Sequence, residues 1–250
     1  MRDFFRRTGV LTKRNLKEIA RDPLSLIFMI ALPLIMEVMF YYIFHDLTEQ
    51  FAINVLAPGI VVFSQSFLTL FTGLLISVDR STSFLKRLYV SKARSHEFIF
   101  GYLFALLPIS VIQSVLFFVV GGLIDSSFWS FKMLLGIAGG VMSSLLFIGL
   151  GILFGSLCNE KSIGGVSSII ITGQSVLSGM WFPTEGMSEG FLTVMKIMPF
   201  KNATMLVSNL VNGFENVLPD VIFPLIIVAA YTFVAFAAAI AVFKRKMKSK

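Results

Sequence analysis

The side chains able to do chemistry are few in this sequence, and none of them is grouped for catalysis. There are two histidines, His45 and His96, and one cysteine, Cys158. No two carboxylates stand within reach of one another for general acid–base work, and no Ser/His/Asp set is spaced for nucleophilic attack. A single cysteine excludes an internal disulfide framework and leaves no cysteine-rich metal site. No Gly-x-x-x-x-Gly-Lys-Ser/Thr occurs, so nothing here cradles nucleotide phosphates by the P-loop route. The expectation is a chain with no catalytic, cofactor or metal site of its own.

What remains is two stripes of neutral polar residues and one acid, all inside apolar runs. Gln65, Thr69 and Thr72 lie at spacings of four and three, one face of a helix, with Ser64 and Ser66 beside them. Ser168, Thr172 and Ser175 repeat the pattern, with Gln174 and Ser178 on an adjacent stripe. Such groups suit a transport cavity with apolar walls and a few placed polar contacts. They equally suit interhelical hydrogen bonding, worth about 0.6 to 2 kcal/mol each in lipid. Glu37 is the acid. Ionised within hydrocarbon it costs about 2.5 to 3.5 kcal/mol on insertion scales, so it should face the bundle and find a partner. Gln113, Ser110 and Tyr41 are the candidates. A structural hydrogen bond is the leading reading, cation handling the minor one.

The elements that must position these residues are membrane helices. The composition is 56% hydrophobic and 14% charged with a mean hydropathy of +0.85, whereas soluble domains carry about 25% charge. The apolar residues arrive in runs of roughly 20, the length of helix that crosses ~30 Å of hydrocarbon. Six runs are expected to span: 24–44, 54–78, 98–121, 133–157, 163–182 and 221–243. Residues outside them are too few for a separate enzyme domain. The first run starts near Pro23 and is long enough to span, so no removable signal peptide is expected.

The net charge of +7 invites a nucleic-acid reading, but position argues against it. Summed over alternate connections, eighteen of the 21 basic residues fall on one side and only Lys132, Lys196 and Lys201 on the other. The richer side is cytosolic by the positive-inside rule, which places both termini in the cytosol.

Three regions are not spans. Residues 2–21 read as an amphipathic interfacial helix, with Phe4, Phe5, Leu11, Leu16 and Ile19 on one half and seven basic residues on the other, facing anionic lipid or an acidic partner. Residues 79–97 form a cytosolic segment in which Phe84, Leu85, Leu88 and Tyr89 make an apolar strip beside Lys86 and Arg87, a surface that meets another protein or, as the lesser reading, folds back onto the bilayer. Residues 183–220 form an outer segment in which Pro183 stops the fifth helix and the apolar residues from Phe191 to Met198 dip into the outer leaflet or cap the bundle. The whole of 1–250 is expected to be one transmembrane domain, with residues 1–22, 79–97 and 183–220 as its non-spanning parts.

With these regions in place the chain resembles the permease subunits of ABC-2 type transporters, exporters driven by a separate ATP-binding-cassette subunit. The residues that carry the resemblance run in order. They are Arg21, Asp22, Pro23 and Leu24; Pro58 and Gly59; the run from Arg80 through Leu85, Lys86, Arg87 and Leu88; Ser178, Gly179, Met180, Trp181, Phe182 and Pro183; then Met198, Pro199 and Phe200. Two departures concern the cytosolic segment. Lys86 stands where the family often has Glu, and Lys92 where Pro is common. The resemblance implies an all-α integral membrane fold of six spans, with an interfacial N-terminal helix and a short re-entrant outer segment. It implies a dimer of permeases on a dimer of ATPases, with ATP and Mg bound on the partner ATPase. Residues Phe84, Leu85, Lys86, Arg87 and Leu88 would form the coupling element, and the second and fifth spans would line the path through Gln65, Thr69, Thr72, Ser168, Thr172, Ser175 and Gln174. The cargo expected from the uncharged stripes is an amphiphile: a drug, antibiotic, lipid or hydrophobic peptide. A polysaccharide or sodium exporter of the same superfamily, an ATP-independent carrier and a non-transporting membrane partner are the alternatives.

Overall fold

The computed structural model describes residues 2–82, 95–182, 184 and 186–248, and among them every regular element is helical. In chain order they are α1 (Arg2–Ala20), α2 (Pro23–Phe44), α3 (Ile53–Ser81), α4 (Ser95–Ile124), α5 (Met133–Leu157), α6 (Glu160–Leu177), α7 (Glu189–Ile197), α8 (Pro199–Asn212) and α9 (Phe223–Lys248). Helices α2, α3, α4, α5 and α9 are long and apolar enough to cross a membrane, α9 together with the turn at Leu218–Ile222 that leads into it. This is a multi-pass membrane fold. Helix α6 has 18 residues, about 27 Å, and is rich in Ser and Gly, so it falls short of the other five in apolarity.

The helix starts follow local chemistry. Asp22 caps α2, accepting from the Ser25 amide at 3.2 Å and from the Ser25 hydroxyl, with Pro23 in the first turn, where its missing N–H costs nothing. Asn159 and Ser162 form a reciprocal capping box at the start of α6. That helix ends at Leu177, not at Pro183 as expected: Gly179 takes φ +75°, a left-handed conformation that turns the chain away.

The bundle is built around α3, which is buried along most of its length. Its tightest neighbour is α5, and glycine makes the approach possible. A Cβ added at Gly151 would lie 2.8 Å from the Thr69 carbonyl oxygen, and one at Gly155 would lie 2.7 Å from that of Gly73. Helix α8 buries Pro199, Phe200, Ala203, Leu206, Val207 and Val211 against the bundle and contacts α3, α5 and α9. The segment after α6 therefore packs on the helices through α8, whereas α7 buries only Met195.

Prolines inside spans leave carbonyls without their usual partner, because the residue four positions later has no N–H, and the backbone widens into π-turns at Ile27–Ala31 and Leu218–Ile222 before Pro33 and Pro224. Three of these carbonyls receive an amide from another helix. Gln113 of α4 donates to Met29, four residues before Pro33, at 3.0 Å. Asn212 of α8 donates to Asn54, four before Pro58, at 2.8 Å. Asn209 of α8 donates to Asp220, four before Pro224, at 2.8 Å. A local backbone defect thus becomes a tertiary contact in each case, and α8 supplies two of the three donors.

Helix α1 lies on the protein more than the sequence suggests. Its buried stripe is Thr8, Asn15 and Ile19, with Leu11 set against Gly101 of α4, whereas Phe5 is 68% and Val10 65% exposed. Phe5 thus lies on the side of α1 that faces away from the protein. Packing rotates the helix because two of its arginines are held by the ends of α3 and α4.

Candidate translocation and coupling surfaces

Those arginines mark the two sides of segment 83–94. Arg14 of α1 donates through both terminal nitrogens to the Asp79 carboxylate, which is 1% exposed and also accepts from the Tyr102 hydroxyl at 2.7 Å. Asp79 stands near the end of α3, and Tyr102 in the second turn of α4. Arg7, two turns earlier on α1, pairs with Glu97 in the first turn of α4 at 3.6 Å. Burial works against the Arg14 cation, but the hydrogen bonds and charge of Asp79 prevail and raise its pKa above the ordinary value. The basic half of α1, expected to face lipid or a partner, thus spends Arg7 and Arg14 on the same chain. Acids at the two ends of the basic segment 79–97 were the signal in the sequence that could have shown this.

Arg80 adds a second tie. Its guanidinium donates to the carbonyls of Gly155, Ser156 and Cys158 at 3.0, 2.7 and 2.8 Å. These lie at the C-terminal end of α5, where the helix has unpaired carbonyls and a negative partial charge. Helices α1, α3, α4 and α5 are therefore joined at the end that carries segment 83–94. The expected coupling residues Phe84, Leu85, Lys86, Arg87 and Leu88 lie outside the described residues.

The two polar stripes do not share a surface. Gln65, Thr69 and Thr72 are fully buried. Gln65 Nε2 donates to Ser114 of α4 at 3.1 Å, Thr69 donates to the Phe147 carbonyl of α5 at 3.1 Å, and Thr72 packs where Gly151 makes room. On α6, Gln174 is buried and donates to Thr204 of α8 at 3.1 Å, and Ser175, half-buried, accepts from the Trp181 indole at 2.8 Å. Ser168 and Thr172 are exposed. The polar face of α3 thus points into the bundle. Its partly open side carries Phe67, Leu70, Phe71, Leu74 and Leu75, residues that a search for polar groups passes over.

Glu37 is fully buried, and neither carboxylate oxygen has a hydrogen-bond partner among the described residues. Of the partners expected for it, Gln113 and Ser110 donate elsewhere. Gln113 donates to Met29 and Ser64, and Ser110 to Leu107. Position explains this, since the carbonyl freed by Pro33 lies two turns before Glu37 and claims the Gln113 amide.

At the opposite end of the bundle the turn after α6 is held down. Gln50 Nε2 donates to the carbonyls of Gly179 and Met180, both at 2.8 Å. Met180 rests on Gly59, where a Cβ would lie 3.0 Å from its own. Trp181 sits among Phe40, Phe51 and Phe63 with ring centroids 4.9, 6.4 and 5.9 Å away. The turn is closed by aromatic contact and two hydrogen bonds.

The described residues form a polytopic helical bundle, tied across several helices at one end and closed by an aromatic turn at the other. The chain belongs to the ABC-2 type transporter family, whose model matches residues 6–211. A comparison with curated proteins finds no match.

Proposed function

We propose that this chain is the permease subunit of an ATP-driven exporter that moves an amphiphilic compound across the cytoplasmic membrane, powered by a separate ATPase subunit that binds ATP and Mg. The observation that carries this reading, within the family, is the clamp of α1 on both sides of segment 83–94. A force applied to that segment reaches α3 through Asp79 and α4 through Glu97 and Tyr102, while Arg80 passes it to α5. Elements joined in this way move together, as a two-state transporter requires.

In this reading α6 is the sixth span, since about 27 Å of helix suffices for ~30 Å of hydrocarbon when its ends are polar. The basic residues then place both termini in the cytosol. A second protomer completes the path, lined by Ser168 and Thr172 of α6 and by the phenylalanine side of α3. Gln65, Thr69, Thr72 and Gln174 hold the helices that form it, and Ser175 holds Trp181. An aromatic wall with two hydroxyls suits a lipophilic cargo.

The test is co-expression with an ATP-binding-cassette ATPase, reconstitution, and measurement of ATP hydrolysis stimulated by a lipophilic compound. Scrambling Phe84, Leu85, Lys86, Arg87 and Leu88 should abolish stimulation while leaving the basal rate of the ATPase. Undiminished efflux after scrambling would defeat the proposal.

A further inference from the structure

Between α4, α5 and α9 lies a cavity of about 370 Å³ that none of the contacts above uses. Its walls are apolar, with Leu103 from α4, Leu145 from α5, and Ala229 and Phe233 from α9. Only His96 and Thr232 bring polar atoms to it. The Thr232 hydroxyl donates to the Val228 carbonyl at 2.7 Å and so makes no demand on an occupant. Water there would lack partners, and an empty groove would forfeit dispersion contacts, so the body of the occupant must be alkyl. The α9 wall runs from Leu225 to Ile240, about 22 Å along one span, which makes the groove long and parallel to the helix.

One end of the groove is cationic. His96 and Ile240 both line it, and the next turn of α9 carries Lys244 and Arg245, both exposed. Phe4 of α1 packs its ring 5.6 Å from the His96 ring at the same end. The acid beside His96, Glu97, is buried and paired with Arg7.

We propose that this groove binds one anionic phospholipid from the leaflet nearest the chain termini. An acyl chain lies along α9 between Leu225 and Ile240, and the phosphate is held near His96, Lys244 and Arg245. Charge complementarity selects the headgroup, because each cation near a membrane surface favours an anionic lipid by about fivefold. The inference does not depend on the transport reading, and its test contains no ATPase.

The full chain is reconstituted in nanodiscs holding equal amounts of phosphatidylglycerol and phosphatidylcholine with identical acyl chains. It is then transferred to mild detergent, and retained lipid is counted by native mass spectrometry. The wild type should keep one phosphatidylglycerol in preference to phosphatidylcholine. Lys244→Gln with Arg245→Gln should cut that preference at least tenfold, and Ala229→Trp, which fills the groove, should remove the retained lipid. The double charge variant alters only exposed side chains, so it decides the matter if Ala229→Trp does not fold. No headgroup preference in the wild type, or a preference that survives the charge substitutions, overturns the proposal. Unchanged lipid retention in Ala229→Trp together with loss of dimer on size exclusion also overturns it, and assigns the groove to a second copy of the chain.

Discussion

The hydrogen bond from Gln113 to Met29 should matter only because residue 33 is proline. Gln113 and Met29 are both fully buried, and the amide also donates to Ser64 at 3.2 Å. Gln113→Leu removes the donor at similar volume. Interhelical hydrogen bonds in membranes average about 0.6 kcal/mol and reach about 1.7, and an unsatisfied buried carbonyl sits at the upper end of that range. A loss of about 1.5 kcal/mol is therefore expected, a melting shift of roughly 3 to 6 °C for a chain of this size. Pro33→Ala restores an N–H that can serve Met29 from within α2. In that background Gln113→Leu should cost about 0.5 kcal/mol, the residue of its contact with Ser64, which leaves a coupling near 1 kcal/mol. The assay is thermal unfolding of the four proteins in one detergent, combined as a double-mutant cycle. Equal costs of Gln113→Leu with and without Pro33 would refute the claim that the amide answers the proline.

Other outcomes follow from the same structure. Arg14→Met strands the buried Asp79 carboxylate and should cost about 3 kcal/mol, most of it recovered by adding Asp79→Asn, as thermal unfolding would show. Gly155→Val sets side-chain atoms against the Gly73 backbone and should prevent stable folding, whereas Gly164→Ala, with nothing within 4 Å, should leave melting unchanged or raised. Lys201 has its pKa lowered, first by burial and then by Lys196. Between that lowered value and 10.5 the unfolded chain binds more protons, so stability should climb as pH rises through the window, and Lys201→Met should flatten this part of the profile. Glu37→Gln should leave reconstituted transport and its pH dependence unchanged; a lost pH dependence would assign the acid to cation or proton handling.

Much of the fold was legible in the sequence because hydropathy is local. The run 133–157 became α5 to the residue, and Pro23 marked the start of α2 as its missing N–H requires. Gly151 and Gly155, four residues apart, form the face of α5 that approaches the α3 backbone. The fifth run was overextended because apolar content continues past Ser178, while the turn is made by the conformation of Gly179.

What the sequence by itself determined is that the chain lives in a bilayer, where its spans begin, and which ends carry the charge. Only the tertiary structure decided which way each span faces. In water, amphipathicity reports orientation, because one face must leave the solvent. In lipid the surroundings are as apolar as the protein interior, so that signal is lost. Gln65, Thr69 and Thr72 therefore proved to point inward to α4 and α5, and Phe67 and Phe71 to the open side. Arg7 and Arg14 found Glu97 and Asp79 for a different reason: acids flanking a basic segment suggest partners, and the packing of the helices decides which arginines reach them.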